Sequence, residues 1–359
     1  MPGANASARC IASTDDLFKS PLAGSDAGRR HRGSVLSVKN SRTNFFHTTS
    51  LSADGTTIVA RNDDQRTRTF VLPPDLLEQQ GEVCRLTPYA TSEPLKVRSS
   101  ALYPHFSLSD PNTTLSLESQ TDLAIRLVNV LDYGFVHGYY PWISPTTEEY
   151  ITPHALLFGA DGTRFVAGAK ESIALFDISR PNERPLTSYK TRKSRKTRQS
   201  YGEHEIALSG IVNALAINPA NGLLAAGSTD RQIGFWEAGG AGQKTSAFSI
   251  ADPASPGLKG SGIIQIDWSS CGNYLFVAER NSNVILVYDI RQGRKLCWLR
   301  GRNAMGMQRL SFDLIQSASS GLDVWAGGVD GHVRLWTDVT SQMDGIDPFV
   351  DMVAHQGEW

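Results

Sequence analysis

IIQIDWSSCGNYLFVAERNSNVILVYD, residues 263–289, contains the pattern that decides the fold. An apolar run is followed by a small polar turn, a second apolar run, a second turn and a third stretch that ends in an aromatic residue and an acid. Three further stretches repeat this order: 155–177, 214–237 and 309–337. Self-similarity of this kind predicts a repeat architecture in which each unit is one small supersecondary element.

The spacing and periodicity of the units predict propeller blades rather than helical repeats. The closing aromatic residues are Phe176, Trp236, Tyr288 and Trp336. Successive intervals between them are 60, 52 and 48 residues, whereas a four-stranded blade needs about 40–45 residues before loop insertions are added. Apolar residues alternate with a period of two, as at Val284 and Leu286, whereas a helix would repeat them every 3.6 residues.

Two weaker units upstream bring the predicted number of blades to six. The unit 45–75 has its first turn at Asp54–Gly55 and closes at Phe70. The unit 102–129 alternates less clearly and closes near Val128. The predicted fold class is therefore all-β, a WD-repeat β-propeller with six recognisable blades.

The C-terminal stretch indicates a seven-bladed design whose last blade is incomplete. The segment VAHQGEW (353–359) is typical of the approach to a further inner strand. An open ring would leave sheet faces and edges uncovered, which is unfavourable. Two explanations stay open: an N-terminal strand near 34–39 closes the ring, or the sequence is a fragment.

Two stretches outside the repeats differ from them in composition. Residues 1–33 have few large apolar side chains, which predicts a disordered tail before a propeller that covers 34–359. The insertion 179–206 carries six clustered cations: Lys190, Arg192, Lys193, Arg195, Lys196 and Arg198. This cluster fits a nuclear-import signal or an RNA-phosphate contact, and equally a solvated loop between two blades.

The overall composition excludes several classes of protein. A formal net charge of −1 and a hydrophobic content of 40% predict a globular chain with no overall attraction to nucleic acids or membranes. The four cysteines show no CxxC spacing, which argues against a zinc knuckle or a disulfide scaffold. Since no run of about 18 apolar residues occurs, we predict a soluble intracellular protein.

No arrangement of residues predicts catalysis. The stretch GGAGQKTS (239–246) has Gln243 before its Lys-Thr pair, where a phosphate-binding loop needs glycine. The eight histidines show no HxH, HExxH or HxxxH spacing, which metal-binding pairs use, and we interpret His154 as a structural residue before an inner strand. We therefore predict a non-enzymatic protein without catalytic residues, metal ligands, cofactor or small-molecule substrate.

Six short motifs resemble the telomerase Cajal body protein family, a WD-repeat group. They are LPPDL (72–76), PHALLFGADGTRFVAG (153–168), DISRP (177–181), SGIVNALAINP (209–219), DIRQG (289–293) and QRLSFDL (308–314). The resemblance runs from about residue 40 to residue 340, and LPPDL and QRLSFDL are its more specific motifs. The sequence departs from the family in its basic 190–198 insertion, its loosely patterned second blade and its missing final blade.

The resemblance implies a nuclear scaffold that binds small RNAs of the box H/ACA type, including telomerase RNA. Members of the family help assemble or localise the corresponding ribonucleoproteins, and some relatives are tied to splicing small nuclear ribonucleoproteins. The implied partners are such an RNA and its ribonucleoprotein proteins, together with other proteins that bind the propeller faces. The implied location is the nucleus, with the cytoplasm left open.

Propeller geometry predicts where an RNA would bind. The turn between the second and third strands of each blade emerges on one face beside the central channel, and four blades carry a basic residue there. With one residue before an inner strand, the predicted RNA-binding set is Arg61, Lys170, Arg231, Arg280 and Arg309. Arginine holds phosphates and stacks on unpaired bases. The alternative is that some of these residues pair with acids near them: Glu171, Asp230 and Glu279.

Two functions therefore remain open from the sequence. The first is an RNA-binding scaffold for small ribonucleoproteins, which the motifs and the basic turns favour. The second is a generic protein–protein scaffold of the G-protein-β or adaptor type without RNA contact. The near-neutral net charge and the common blade pattern keep the second function open.

Overall fold

The computed structural model describes residues 9–14, 18, 44–78, 81–192, 208–251, 258–317 and 321–354. In these ranges the chain is built from β-strands, with two short 3-10 turns at Ala238–Gly240 and Val339–Ser341. No helix in the described part of the chain has the length and apolarity needed to cross a membrane.

In the described residues the strands form six successive blade sheets and one separate two-stranded sheet, β1-β5. The first blade and its flanks contain β1 (Ala12–Ser13), β2 (Phe46–Leu51), β3 (Thr57–Asn62), β4 (Thr67–Val71), β5 (Cys84–Arg85) and β6 (Ala90–Thr91). The second blade contains β7 (Val97–Leu102), β8 (Leu115–Gln120), β9 (Ile125–Asn129) and β10 (Val136–Tyr140). The third contains β11 (Ala155–Phe158), β12 (Arg164–Ala169), β13 (Ser172–Asp177) and β14 (Thr187–Lys190).

The remaining three blades follow in the same way. The fourth contains β15 (Val212–Ile217), β16 (Leu224–Ser228), β17 (Gln232–Trp236) and β18 (Lys244–Ser249). The fifth contains β19 (Ile263–Trp268), β20 (Tyr274–Glu279), β21 (Ile285–Asp289) and β22 (Arg294–Leu299). The last strands are β23 (Phe312–Gln316), β24 (Leu322–Gly327), β25 (His332–Trp336), β26 (Asp344–Ile346) and β27 (Val350–Val353).

Each blade is an antiparallel meander, as the repeated turns in the sequence predict. In the third blade the order is β11-β12-β13-β14, and Ala155 pairs with Gly168. Middle strands such as β12 and β20 are buried at nearly every position. Because the third and fifth blades each pack between two neighbouring blades, both faces of β12 and β20 are covered, and these strands are almost continuously apolar.

The first turn of a blade can require glycine. Gly272 lies between β19 and β20 with a φ of +72°, and a Cβ atom there would lie 2.2 Å from the side-chain oxygen of Asn218. The side chain of Asn218 in turn donates a hydrogen bond to the carbonyl of Gly272 at 2.8 Å. A larger residue at position 272 would therefore strain the backbone and disturb the contact between the fourth and fifth blades.

Contacts between neighbouring blades form the core. Apolar clusters join the second blade to the third, the third to the fourth, the fourth to the fifth and the fifth to the sixth. Between the first and second blades, the hydroxyl of Thr69 donates to the carbonyl of Val130 at 2.6 Å. Trp336, the closing aromatic residue of the sixth repeat, is fully buried between the fifth and sixth blades.

The structure confirms the all-β propeller with six blades. The second blade begins earlier than the predicted unit 102–129. Its inner strand β7 covers Val97–Leu102, so residue 102 ends that strand instead of beginning it. Alternate residues of β7 are exposed, and its sequence, VRSSAL, has too few apolar residues to be recognised as an inner strand. Val128 lies in the third strand of the blade, as predicted.

The described part of the C-terminal segment completes the sixth blade, ahead of the residues interpreted as an approach to a further blade. After β25 the chain adds β26 in parallel to β22 of the fifth blade and then returns as β27, which pairs with β25. Val353 therefore ends the outer strand of the sixth blade. Residues 34–39 and 355–359 lie outside the described residues, so that a closing seventh sheet stays a prediction.

Part of the N-terminal tail has defined contacts, unlike the disorder predicted for residues 1–33. β1 pairs in parallel with β5, with Ala12 opposite Cys84. The ring of Phe18 lies edge-on to Phe46, with 5.6 Å between the ring centroids. Exposed strand edges and apolar surface on the first blade account for both contacts. Residues 1–8, 15–17 and 19–33 lie outside the described residues.

Candidate functional site

All six blades contribute to one cavity of about 510 Å³. In blade order, its main side chains are Arg61, Arg98, His154, Asn213, Arg280 and Arg309. Only the propeller axis is shared by every blade, so the cavity lies in the central channel. A neighbouring cavity of about 420 Å³ shares Arg309 with it and extends along β2 of the first blade.

Arg309 spans the channel. It precedes β23 of the sixth blade, and its Nη2 atom donates to the side-chain oxygen of Asn213 in the fourth blade at 2.7 Å. The same nitrogen lies 3.3 Å from the carbonyl oxygen of His154, just before the third blade. This side chain therefore ties three blades together, in addition to carrying a charge into the cavity.

The other three arginines reach the cavity from the first, second and fifth blades. Arg61, at the end of β3, donates from Nη1 to the carbonyl of Val97 at 2.6 Å. Arg98, on β7, is exposed and donates from Nε to the hydroxyl of Thr121 at 2.9 Å. Arg280 follows β20, and its Nε atom is buried without a hydrogen-bond partner among the described residues.

The arginines influence one another and the neighbouring histidine. Burial, followed by the charges of Arg280 and Arg61, lowers the pKa of Arg309 to about 10. Burial, followed by Arg98, Arg309 and Arg280, lowers the pKa of His154 below its usual 6.5. At neutral pH the guanidinium of Arg309 is therefore charged and the imidazole of His154 is neutral.

The lining of the cavity suits anions. Beside the four arginines it is lined by Thr48, Ser50, Ser99 and Ser100, and none of its described residues is Asp or Glu. No group of three or more His, Cys, Asp or Glu that could hold a metal ion occurs among the residues that the structure describes. What the site offers is a set of positive charges and hydrogen-bond donors.

Comparisons with known proteins agree with this architecture. Residues 195–237, which include β15 to β17, match the WD domain, G-beta repeat. The chain is 25% identical over 301 residues to Telomerase Cajal body protein 1 from Mus musculus, which covers 82% of the chain and 51% of the mouse protein. The chain contains a WD repeat and is similar to the telomerase Cajal body proteins.

Two fungal relatives are similar over the same share of the chain. The chain is 28% identical over 299 residues to Guanine nucleotide-binding protein negative regulator 1 from Schizosaccharomyces pombe, covering 82% of the chain and 70% of that protein. It is 27% identical over 309 residues to Protein SWT21 from Vanderwaltozyma polyspora, covering 82% of the chain and 67% of the relative. It spans about half the length of the Telomerase Cajal body proteins that it matches. None of these matches indicates an enzyme family.

The structure brings together three of the five residues predicted to bind RNA: Arg61, Arg280 and Arg309. Arg231 does not line the cavity, because its guanidinium forms two hydrogen bonds with the carboxylate of Glu279, at 2.6 and 2.9 Å. This is the ion-pair alternative that the sequence left open. Lys170 is exposed and also lies outside the lining residues.

The basic insertion is described only in part. Lys190, at the end of β14, is exposed, and Arg192 pairs with Glu171 at 3.2 Å. Lys193, Arg195, Lys196 and Arg198 lie outside the described residues. The role of this insertion in nuclear import or RNA binding stays a prediction.

Sequence reasoning missed Arg98 and the place of His154 in the cavity. Arg98 lies on β7, the strand that the predicted unit 102–129 left out. Had the alternation Lys96–Arg98–Ser100 been interpreted as an inner strand, its basic side chain would have been placed at the channel. His154 is interpreted from the sequence as structural, and its backbone does hydrogen-bond to Gly168, but the residue also lines the cavity.

Proposed function

We propose that this chain is a nuclear WD-repeat scaffold that binds a small structured RNA and helps assemble or localise its ribonucleoprotein. The observation that carries the proposal is the cavity at the channel, where arginines from four blades converge without a carboxylate among its described lining residues. RNA backbones are held by such arrangements of Arg and hydroxyl groups. The similarity to proteins named Telomerase Cajal body protein 1 supports an RNA of the telomerase or box H/ACA class.

The geometry also indicates which arginines are free to contact RNA. Arg98 is exposed, and the buried Nε of Arg280 has no partner among the described residues. Arg309 is committed to Asn213 and His154, and Arg231 is committed to Glu279. RNA contacts are therefore assigned first to Arg98 and Arg280, with Arg61 beside them.

The test is binding of the full chain to structured small RNAs, measured by fluorescence anisotropy over a range of salt concentrations. The double variant Arg98→Glu/Arg280→Glu is expected to bind about 100-fold more weakly, and the slope of log affinity against log salt should become shallower by about two. The matched control is Arg180→Glu/Arg300→Glu, since both arginines lie on the exposed surface in pairs with Glu183 and Asp347. An equal loss of RNA affinity in the two double variants would contradict the proposal.

A protein–protein scaffold is the second candidate, and one surface feature favours it. A groove of about 490 Å³ on the second blade is bordered by Leu123, Tyr139 and Tyr150, and Leu123 and Tyr139 are 53% and 48% exposed. Exposed apolar and aromatic side chains around a groove are typical of protein contacts. Crosslinking in cells followed by RNA sequencing separates the two functions, because a protein scaffold would recover a reproducible protein and only background RNA.

A further inference from the structure

The channel cavity has the chemistry of a small-molecule site as well as of an RNA surface. Its volume of about 510 Å³ lies within the range of pockets that enclose small ligands. Residues of six blades line it, so a ligand inside would be contacted from several sides at once. We infer that the cavity binds a compact anion that carries several clustered phosphate groups.

The charge balance of the cavity is the first argument. Four guanidinium groups face it, and the described lining residues provide no acid to neutralise them. Other arginines of the chain have such a partner: Arg126 pairs with Glu118, and Arg334 with Asp330 and Asp351. Clustered like charges repel each other in a partly desolvated site, and a multivalent anion would remove this repulsion.

The unused donor of Arg280 is the second argument. Buried polar groups nearly always have a hydrogen-bond partner, and an exception needs an explanation such as a missing ligand. The Nε atom of Arg280 is buried and has no acceptor among the described residues. Two oxygens of one phosphate group accept two parallel hydrogen bonds from one guanidinium, so a phosphate group beside Arg280 would satisfy this donor.

The remaining lining favours phosphate over carboxylate ligands. The lining residues Thr48 and Ser50 lie on the first blade, and Ser99 and Ser100 lie on the second. Hydroxyl-bearing residues on these two blades, with the amide residues Asn213 and Gln308 elsewhere in the lining, suit the several oxygens that each phosphate group presents. The phosphates can belong to a free small molecule or to an RNA segment that enters the channel, and in the second case the inference rests on the proposed function.

Calorimetric titration of the full chain with inositol hexakisphosphate tests the inference. We expect saturable one-to-one binding, and binding weaker by about tenfold or more in Arg98→Gln/Arg280→Gln, since each charge-assisted contact is individually strong. Arg180→Gln/Arg300→Gln is the control and should bind like the parent chain, and myo-inositol without phosphates should not bind. Circular dichroism and the thermal midpoint establish that each variant is folded. The single variant Arg98→Gln, at an exposed position, provides a second test if Arg280→Gln unfolds the chain.

The outcomes separate this site from the proposed function. Binding of the probe that is unaffected in Arg98→Gln/Arg280→Gln, or no saturable binding at all, overturns the inference even if RNA still binds. Probe binding that depends on these arginines, in a chain that binds no RNA, supports the site and contradicts the RNA scaffold. When both bind, displacement of the probe by RNA assigns the phosphates to RNA, and independent binding assigns them to a free small molecule.

Discussion

The side chain of Arg309 donates to the side-chain oxygen of Asn213 at 2.7 Å, although 96 residues separate them in sequence. One side chain precedes the inner strand of the sixth blade and the other lies on that of the fourth. The bond therefore crosses the channel and links blades that are not neighbours in the ring. It also holds a charged group at the wall of the candidate site.

Asn213→Ala removes this acceptor and should destabilise the chain. Arg309 would lose its shortest hydrogen bond while its guanidinium stays partly buried, which costs about 1–3 kcal/mol. Urea unfolding followed by circular dichroism measures the change. The control is Gln342→Ala, since the amide of the exposed Gln342 donates only to backbone carbonyls at the surface. If Asn213→Ala has no larger effect than this control, the bond across the channel does not contribute to stability.

Glu279→Gln should destabilise the chain strongly, because it breaks a buried ion pair. The side chain of Glu279 is 2% exposed and that of Arg231 is 20% exposed. Removing the carboxylate charge leaves Arg231 without its counter-charge. Such changes typically lower the free energy of unfolding by about 3 kcal/mol.

The exposed pair between Arg300 and Asp347 provides the comparison for this prediction. Both side chains are more than half exposed, so that Asp347→Asn should not shift the midpoint of urea unfolding measurably. Equal midpoints for Glu279→Gln and Asp347→Asn would show that burial of the Arg231–Glu279 pair has no energetic consequence.

Asp267→Asn should stabilise the chain at neutral pH. Burial raises the pKa of Asp267 to about 6, the hydrogen bond from Gln265 opposes this rise, and the charge of Asp313 adds to it by a smaller amount. Since the folded pKa lies above the unfolded value, the folded state binds more protons between pH 4 and 6, and stability decreases as the pH rises through this window.

The amide variant avoids the ionised carboxylate and retains an oxygen for Gln265. We expect about 1–3 kcal/mol of added stability at pH 7.5, and a smaller gain at pH 5, where Asp267 is already largely protonated. Urea unfolding at the two pH values provides the measurement. A gain of the same size at both would show that the benefit does not come from the charge.

The blade pattern could be predicted from the sequence because its signals are local. Turn residues such as Gly272, alternating apolar residues and a closing aromatic such as Trp336 lie within one unit and report directly on its strands. The second blade was harder to place because β7 has few apolar residues. That error of five residues in the start of the blade is also the reason why Arg98 was not predicted as part of the site.

Contacts between distant segments could not be predicted in the same way. Glu279 lies 48 residues from Arg231 in sequence, and its carboxylate forms the hydrogen bonds that keep the Arg231 guanidinium away from the cavity. Similarly, β26 pairs in parallel with β22 of the fifth blade rather than extending the sixth blade. Blade register and loop length decide such pairs, and neither follows from the repeat pattern. The sequence therefore predicts which basic residues lie near the channel better than it predicts which of them are unpaired with an acid.

The pKa of His154 should report on the charge inside the channel. Burial lowers this pKa, and the charges of Arg98, Arg309 and Arg280 lower it further. Because the folded pKa lies below 6.5, the contribution of His154 to stability is fully present above that pH and is lost as the pH falls below it. His154→Asn should therefore flatten the decrease in unfolding free energy between pH 7 and pH 5 relative to the parent chain. His137, whose pKa burial also lowers, is unchanged in both chains and cancels in this difference.

Arg98→Gln tests the electrostatic part of this effect without altering His154 itself. Removing one of the three charges should raise the pKa of His154 toward 6.5, since the opposing charge is lost while the burial of the ring remains. Nuclear magnetic resonance titration of the imidazole signals, assigned by comparison with His154→Asn, provides the measurement. Arg180→Gln, on the outer surface, should leave the pKa of His154 where it is. If Arg98→Gln also leaves it unchanged, the arginines do not share the electrostatic environment on which the candidate site depends.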